Sequence, residues 1–305
     1  MSSLKIILDT DIGPDCDDTG ALAVLHALAN SGEAEILGVT HCTSNPYGAG
    51  CIDAINRFYK RPSIPVGTLS ASGFLDEQKW YTYNKFVTEK YDNSFRTASA
   101  PDATTTLRQL LAKQPDGSVV FVAIGPLVNL ANLLTSEPDE ISELSGVELV
   151  RAKVLRLVSM AGRFAREDSG ELNVEWNVEM DIVSAKVVCD TWPTPVIFCP
   201  FEVGVNVVTG KLLMQTADDT NPVKKSYDLY TNGNGRSSWD LVTVLFAVRG
   251  DCGMWALSPR GRVAIDDAGH SLFTPDTAGM HSYVVNIAPI PSIESYIDDL
   301  LIRAG

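Results

Sequence analysis

The chain has 305 residues, 45% of them hydrophobic, and a formal net charge of −14. A surface that acidic repels phosphate backbones and anionic lipid, which argues against nucleic-acid and membrane-surface binding. Six cysteines (Cys16, Cys42, Cys51, Cys189, Cys199 and Cys252) show no CxxC and no regular spacing, so they read as reduced, buried small hydrophobes rather than a zinc site or disulfide framework.

In chain order, short apolar runs alternate with amphipathic stretches. LKIIL (4–8), EILGVT (35–40), SVVFVAI (118–124), KVLRLVSM (153–160) and TPVIFC (194–199) predict buried strands. Helical patterns fall near 18–30, 48–60, 103–114, 126–135, 181–191 and 238–249. Strands separated by helices imply an α/β fold with an open, mainly parallel sheet and helices on both faces. No Pro/Gly/Ser-rich linker or internal repeat divides the chain, so 1–305 reads as one α/β domain. Two more polar and aromatic stretches, 68–102 and 216–238, read as insertions above the sheet, where substrate loops often sit. The N-terminal apolar stretch is too short for a signal peptide, and no run approaches the ~20 residues of a membrane span, so the expectation is a soluble cytoplasmic protein.

In open α/β sheets, ligands bind beyond the carboxyl ends of the strands. The first such end carries DTDIGPDCDD (9–18), with five aspartates in ten positions. Like charges that close repel one another, and an ordered arrangement calls for a cation. A solvated helix-starting cluster needs one N-cap aspartate, not five. An EF-hand loop counted from Asp9 would need Gly at its sixth position and Glu at its twelfth, where this chain has Pro14 and Gly20. A phosphatase-type Asp9-Thr10-Asp11, with Asp266-Asp267 as a late acidic pair, lacks a Ser/Thr at the end of a second strand and leaves Asp17-Asp18 unexplained.

The pattern Asp-x-Asp-x-Gly…Asp-Asp followed by TGALAVL resembles the nucleoside hydrolase family, and five later segments keep that resemblance in order. They are VTHCTSN (39–45) with FVAIGPLVNLA (121–131), VSMAGR (158–163), EWNVEMD (175–181) and SSWDLVTVL (237–245). The resemblance implies a Rossmann-like nucleoside hydrolase fold and a calcium-dependent cleavage of the N-glycosidic bond of a ribonucleoside or related pentoside. It implies Ca²⁺ held by Asp11, Asp18, the Ile124 carbonyl and Asp240, which suits a hard cation wanting about 6–8 oxygens. Asp11 is the implied catalytic base, taking a proton from a metal-bound water. Asp17, Asn45, Glu175, Asn177 and Asn173 are the implied holders of the sugar hydroxyls, with Met160 under the ring. Glu175 and Asn177, two apart, share a side if the chain is extended there. The resemblance also implies a homodimer or homotetramer.

Two departures stand out. The acidic loop has two more residues before its Asp pair than the commonest family form, so Asp15 competes as a ligand. The family's active-site histidine is replaced by Trp239, whose indole N–H is donor-only and gives up no proton, although the ring can stack on a flat leaving group. Tyr227 and Tyr230, at i and i+3 in the second insertion, are candidate leaving-group acids, as are His41 and His281, while Tyr83 and Trp80 in the first insertion are lid candidates. The alternatives are a calcium-dependent sugar- or nucleoside-binding protein without turnover, and a hydrolase of a different pentose glycoside.

Overall fold

The computed structural model describes residues 3–165 and 172–304. Its strands in chain order are β1 (Leu4–Thr10), β2 (Ala34–His41), β3 (Val66–Thr68), β4 (Val119–Ala123), β5 (Val154–Met160), β6 (Val196–Cys199), β7 (Val208–Thr209), β8 (Arg236–Ser237), β9 (Trp255–Leu257), β10 (Gly261–Ile265), β11 (Ser271–Pro275) and β12 (His281–Asn286). The central sheet runs β11-β10-β12-β6-β5-β4-β1-β2-β3, with β9 pairing β12, while β7 and β8 form a separate ribbon. From β6 to β3, and between β6 and β12, every pair is parallel; β9, β10 and β11 add an antiparallel edge. The five strands anticipated from the sequence are β1, β2, β4, β5 and β6, and the six anticipated helices form within a few residues of their expected ends.

Two cores follow from strand periodicity. Ile6 and Leu8 of β1, with Val120 and Val122 of β4, join one hydrophobic cluster; Ile7, Val119, Phe121 and Ala123 join the other. Alternate residues of one strand feed opposite faces, as a sheet covered on both sides requires. Helix Asp17–Asn30 is buried nearly all round because helices Trp239–Arg249 and Ile290–Arg303 both pack on it. Gly20 permits that approach, since a Cβ there would lie 2.4 Å from the Tyr227 hydroxyl and 3.0 Å from Leu241.

Strand order reverses between β1 and β4: the chain winds outward to β2 and β3 on one side, then to β5 and β6 on the other. This switch point leaves a crevice at the carboxyl ends of β1 and β4. Both polar insertions reach it. The first carries a short 3₁₀ turn (Gln78–Trp80) and helix Tyr83–Lys90; the second carries helix Pro222–Thr231, capped by Asn221, whose Oδ1 accepts from the Val223 and Lys224 amides. No helix among the described residues is long and apolar enough to cross a membrane.

Two buried histidines tie neighbouring elements together. His26 accepts from Arg61 Nη1 at 3.3 Å, which leaves its Nε2–H to donate to Asn56 Oδ1 at 2.9 Å. His41 sits between the Thr68 and Thr43 hydroxyls, and Gly48 must lack a Cβ, which would meet its ring at 2.2 Å. Burial pushes both histidines down to about 3. The unfolded chain takes up a proton at each near pH 6.5, whereas the folded chain resists until about pH 3. Each therefore removes stability as pH falls through that window, by about 1.4 kcal/mol per pH unit. Denaturant unfolding of His26→Gln and wild type between pH 6 and 5 should show the variant's stability falling less steeply by roughly that slope. Equal slopes would mean that His26 is already protonated in the folded state.

Candidate active site

At the switch point lies a cavity of about 330 Å³, near the lower end of the roughly 300–1,000 Å³ usual for small-molecule sites. Its walls divide by chemistry. One half is acidic: Asp11, Asp15, Asp17 and Asp240, with Glu175, Asn177, Met160 and Ile124. The other is aromatic: Trp80, Trp176, Phe201, Tyr230 and Trp239, together with Arg236.

The acidic half is built at two helix starts. Asp17 and Asp18 open helix Asp17–Asn30, and Asp240 sits in the first turn of helix Trp239–Arg249, so both positive dipole ends face the carboxylates. The Asp240 amide donates to Asp17 Oδ2 at 3.3 Å across the gap. One carboxylate oxygen from each of Asp15, Asp17, Asp18 and Asp240 lies within 4.8 Å of the others. Asp17 Oδ1 is buried without a hydrogen-bond partner. Burial pushes Asp11, Asp17, Asp18 and Asp240 well above the usual carboxylate range, and mutual repulsion adds to it, from Asp15 on Asp11 and Asp17, Asp11 on Asp18, and Asp17 on Asp240. An orphan oxygen within an all-carboxylate set at this spacing fits a hard divalent cation.

Behind this ring, Asp9 braces the strand ends. Thr40 Oγ1 and Asn129 Nδ2 donate to Asp9 Oδ1, and Asn129 also reaches the His41 carbonyl. Burial raises Asp9 to about 7 against these hydrogen bonds. The Ile124 amide bonds to the Asp9 carbonyl at 2.8 Å, which brings the turn after β4 alongside Asp11. Gly125 allows the closest approach, since a Cβ there would stand 2.8 Å from Asp11 Oδ1 and 2.7 Å from Cys42 Sγ.

Several expected residues sit differently from their sequence reading. Asp11 and Ile124 line the cavity, but the tight carboxylate set contains Asp15 and Asp17 rather than Asp11, which lies beside Asp18. Glu175 and Asn177 both line the cavity, although not through an extended chain: Glu175 is the N-cap of helix Trp176–Met180 and Asn177 its second residue. Glu175 accepts from the amides of Asn177, Val178 and Gly162, and burial raises it to about 7 in spite of them. Asn177 Nδ2 donates to the Met160 carbonyl and lies 3.1 Å from its sulfur, which fixes Met160 at the cavity wall.

Asn45 is not on the wall. Its Oδ1 accepts from the Tyr47 amide and its Nδ2 donates to the Trp80 carbonyl, so it is spent tethering the first insertion. Asn173 is half-buried and also off the wall. Tyr227 is fully buried in the core over Gly20 and Gly210, while Tyr230, one turn on along the same helix, reaches the cavity. His41 and His281 are buried elsewhere, His281 accepting from the Val263 amide at 2.9 Å. Tyr83 is buried, with its hydroxyl on the Asp15 carbonyl, so it holds the acidic loop from behind.

Trp239 lines the cavity with its indole N–H donating to the Phe201 carbonyl at 2.9 Å and its ring 5.5 Å from that of Phe201. Sequence reasoning missed Trp176, Phe201 and Arg236. Trp176 was visible within EWN, but nothing marked Phe201 or Arg236 before the fold brought them together.

The sequence matches the family described as inosine-uridine preferring nucleoside hydrolase over residues 6–285, and the chain belongs to that family. A Schizosaccharomyces pombe relative, the uncharacterized protein C1683.06c, is 28% identical over 207 residues, a stretch covering 66% of this chain but only 62% of that protein. Among solved structures, the inosine-uridine preferring nucleoside hydrolase from Bacillus anthracis has a TM-score of 0.71 at 17% identity, covering 98% of this chain and 99% of that one. The purine-preferring ribonucleoside hydrolase from Gardnerella vaginalis has a TM-score of 0.70 at 18% identity, covering 98% and 99%. The type III effector protein XopQ, complexed with adenosine diphosphate ribose, has a TM-score of 0.72 at 15% identity, covering 99% and 94%. These likenesses establish the fold, a mostly parallel sheet flanked by helices.

Gly125→Ala should cost about 1–3 kcal/mol in denaturant unfolding, because its Cβ would crowd the buried Cys42 Sγ at 2.7 Å and Asp11 Cβ at 2.9 Å. Wild-type stability in that variant would show the turn to be looser than its geometry implies.

Proposed function

We propose that this chain is a calcium-dependent hydrolase of the N-glycosidic bond in a ribonucleoside or related pentoside. The observation that supports this most is the division of one cavity into an acidic half sized for a cation and a sugar diol, and an aromatic half suited to a flat base. The family supports hydrolysis of nucleosides, and the ADP-ribose described with one structural relative agrees with a ribose-holding crevice in this fold.

The residues fit a resident cation. Asp18 and Asp240 belong both to the expected ligand set and to the tight carboxylate cluster; Asp11 and the Ile124 carbonyl complete the former. A bound calcium ion would offset the repulsion of the ring and acidify a coordinated water. Asp11, on the cavity wall beside Asp18, would be the carboxylate that accepts a proton from that water. The water oxygen bonds to the anomeric carbon, the carbon–nitrogen bond breaks, and its electron pair leaves with the base. Asp17, Glu175 and Asn177 would accept from or donate to the sugar hydroxyls, while the remaining carboxylates favour the positive charge that builds on the sugar. Trp80, Trp176 and Trp239 offer faces for the base, each stacking contact worth roughly 1–3 kcal/mol.

One observation favours a second reading, a binding protein without turnover: the Trp239 N–H is already committed to the Phe201 carbonyl and offers nothing to a departing base. Sugar release from a panel of ribonucleosides with and without chelator separates the two. Calcium-dependent release is expected, and Asp11→Asn should lower kcat by about 10³-fold with an unchanged circular dichroism spectrum. Near-wild-type turnover in Asp11→Asn would overturn the assignment of the base.

A further inference from the structure

Arg236 is the positively charged residue among the described side chains lining the cavity. It stands in β8, which pairs with β7 and leads directly into helix Trp239–Arg249. Its Nη2 donates to Asp15 Oδ2 at 2.7 Å, so one edge of the guanidinium is fixed at the junction of the two halves. Its plane lies against aromatic rings, 4.9 Å from the Trp239 centroid and 5.5 Å from that of Tyr230. Its Nε is buried with no acceptor. A donor held out of water without a partner is unfavourable, and a ligand acceptor at the guanidinium would relieve it.

Three of the other groups on the aromatic side offer little to a departing base, and the Trp176 indole, donor-only, can give it no proton. The Trp239 N–H is bonded to Phe201, and Trp80 Nε1 donates to Glu77 Oε2 at 2.7 Å. Burial raises the Tyr230 phenol to about 12, so it is a poor proton source. We propose that Arg236 is the leaving-group residue of this site: a fixed cation that stabilises the base as it departs with the bonding electron pair, in place of an acid that protonates it. Arginine keeps its proton, so no proton transfer from it enters the reaction. The water proton goes to Asp11, the electron pair goes to the base nitrogen, and Arg236 stabilises the anion by charge and by donating to an acceptor atom on it. The site then selects planar bases that bear such an acceptor and delocalise negative charge. This rests on the hydrolase reading above and adds to it the group that replaces the missing histidine.

The test compares two substrates that demand different amounts of leaving-group help: a natural ribonucleoside such as uridine or inosine, and p-nitrophenyl riboside, whose phenolate leaves readily. Calcium-loaded wild type should hydrolyse both. Arg236→Gln should lose about 10²-fold or more in kcat on the nucleoside and only a few-fold on the p-nitrophenyl riboside, while Arg236→Lys keeps the charge and recovers part of the loss. Equal losses on both substrates would overturn the proposal, since Arg236 would then act on the sugar half through Asp15; so would no loss on either, or a collapse of calcium affinity in Arg236→Gln. Wild type inert towards both substrates would instead overturn the hydrolase reading itself.

Discussion

The site depends on carboxylates packed closer than their charges permit. Asp11, Asp17, Asp18 and Asp240 are buried, and each is raised by burial first and by its neighbours second. Two helix N-termini offset part of this cost, but the dipole of one helix end is worth at most ~2 kcal/mol in a partly buried site. Under the proposed function, a divalent ion held by this cluster would turn the repulsion into coordination. The rest of the architecture serves to hold the ring: the switch point opens the crevice, Asp9 and Asn129 bind the strand ends together, and Gly125 and Tyr83 press the two loops inward.

A second asymmetry sets the chemistry. The sugar half is crowded with anions, whereas the aromatic half carries Arg236 as its charged group. Under the proposed function, the sugar and the departing base would develop opposite charges, each beside wall residues of the opposite sign. Asp15 stands between them, paired with Arg236 yet within reach of the carboxylate cluster.

The parallel centre of the sheet was legible because its strands are buried on both faces and read as continuous apolar runs. The antiparallel edge was not: β10 alternates between buried and exposed residues, β11 and β12 are mostly part-exposed, and β7 and β8 have two residues each. The acidic loop was legible through its composition, which no structural role explains. Asn45 and Tyr227 were misread for a different reason. Their types and positions suited a site, but where a side chain points depends on tertiary contacts: Asn45 turns to the Trp80 carbonyl, and Tyr227 fills the space beside Gly20. Arg236 escaped notice because a lone arginine in a polar stretch ordinarily reads as a solvated surface charge. Only the fold sets it against Trp239 and Asp15.

The most direct test of this account is calorimetric titration of the metal-free protein with Ca²⁺, repeated in buffers of different ionisation enthalpy. The account predicts one site, proton release on binding because carboxylates raised by burial must ionise to coordinate, and an affinity at least tenfold weaker in Asp240→Ala. An absence of calcium binding at millimolar concentration, or an affinity unchanged by Asp240→Ala, would contradict it.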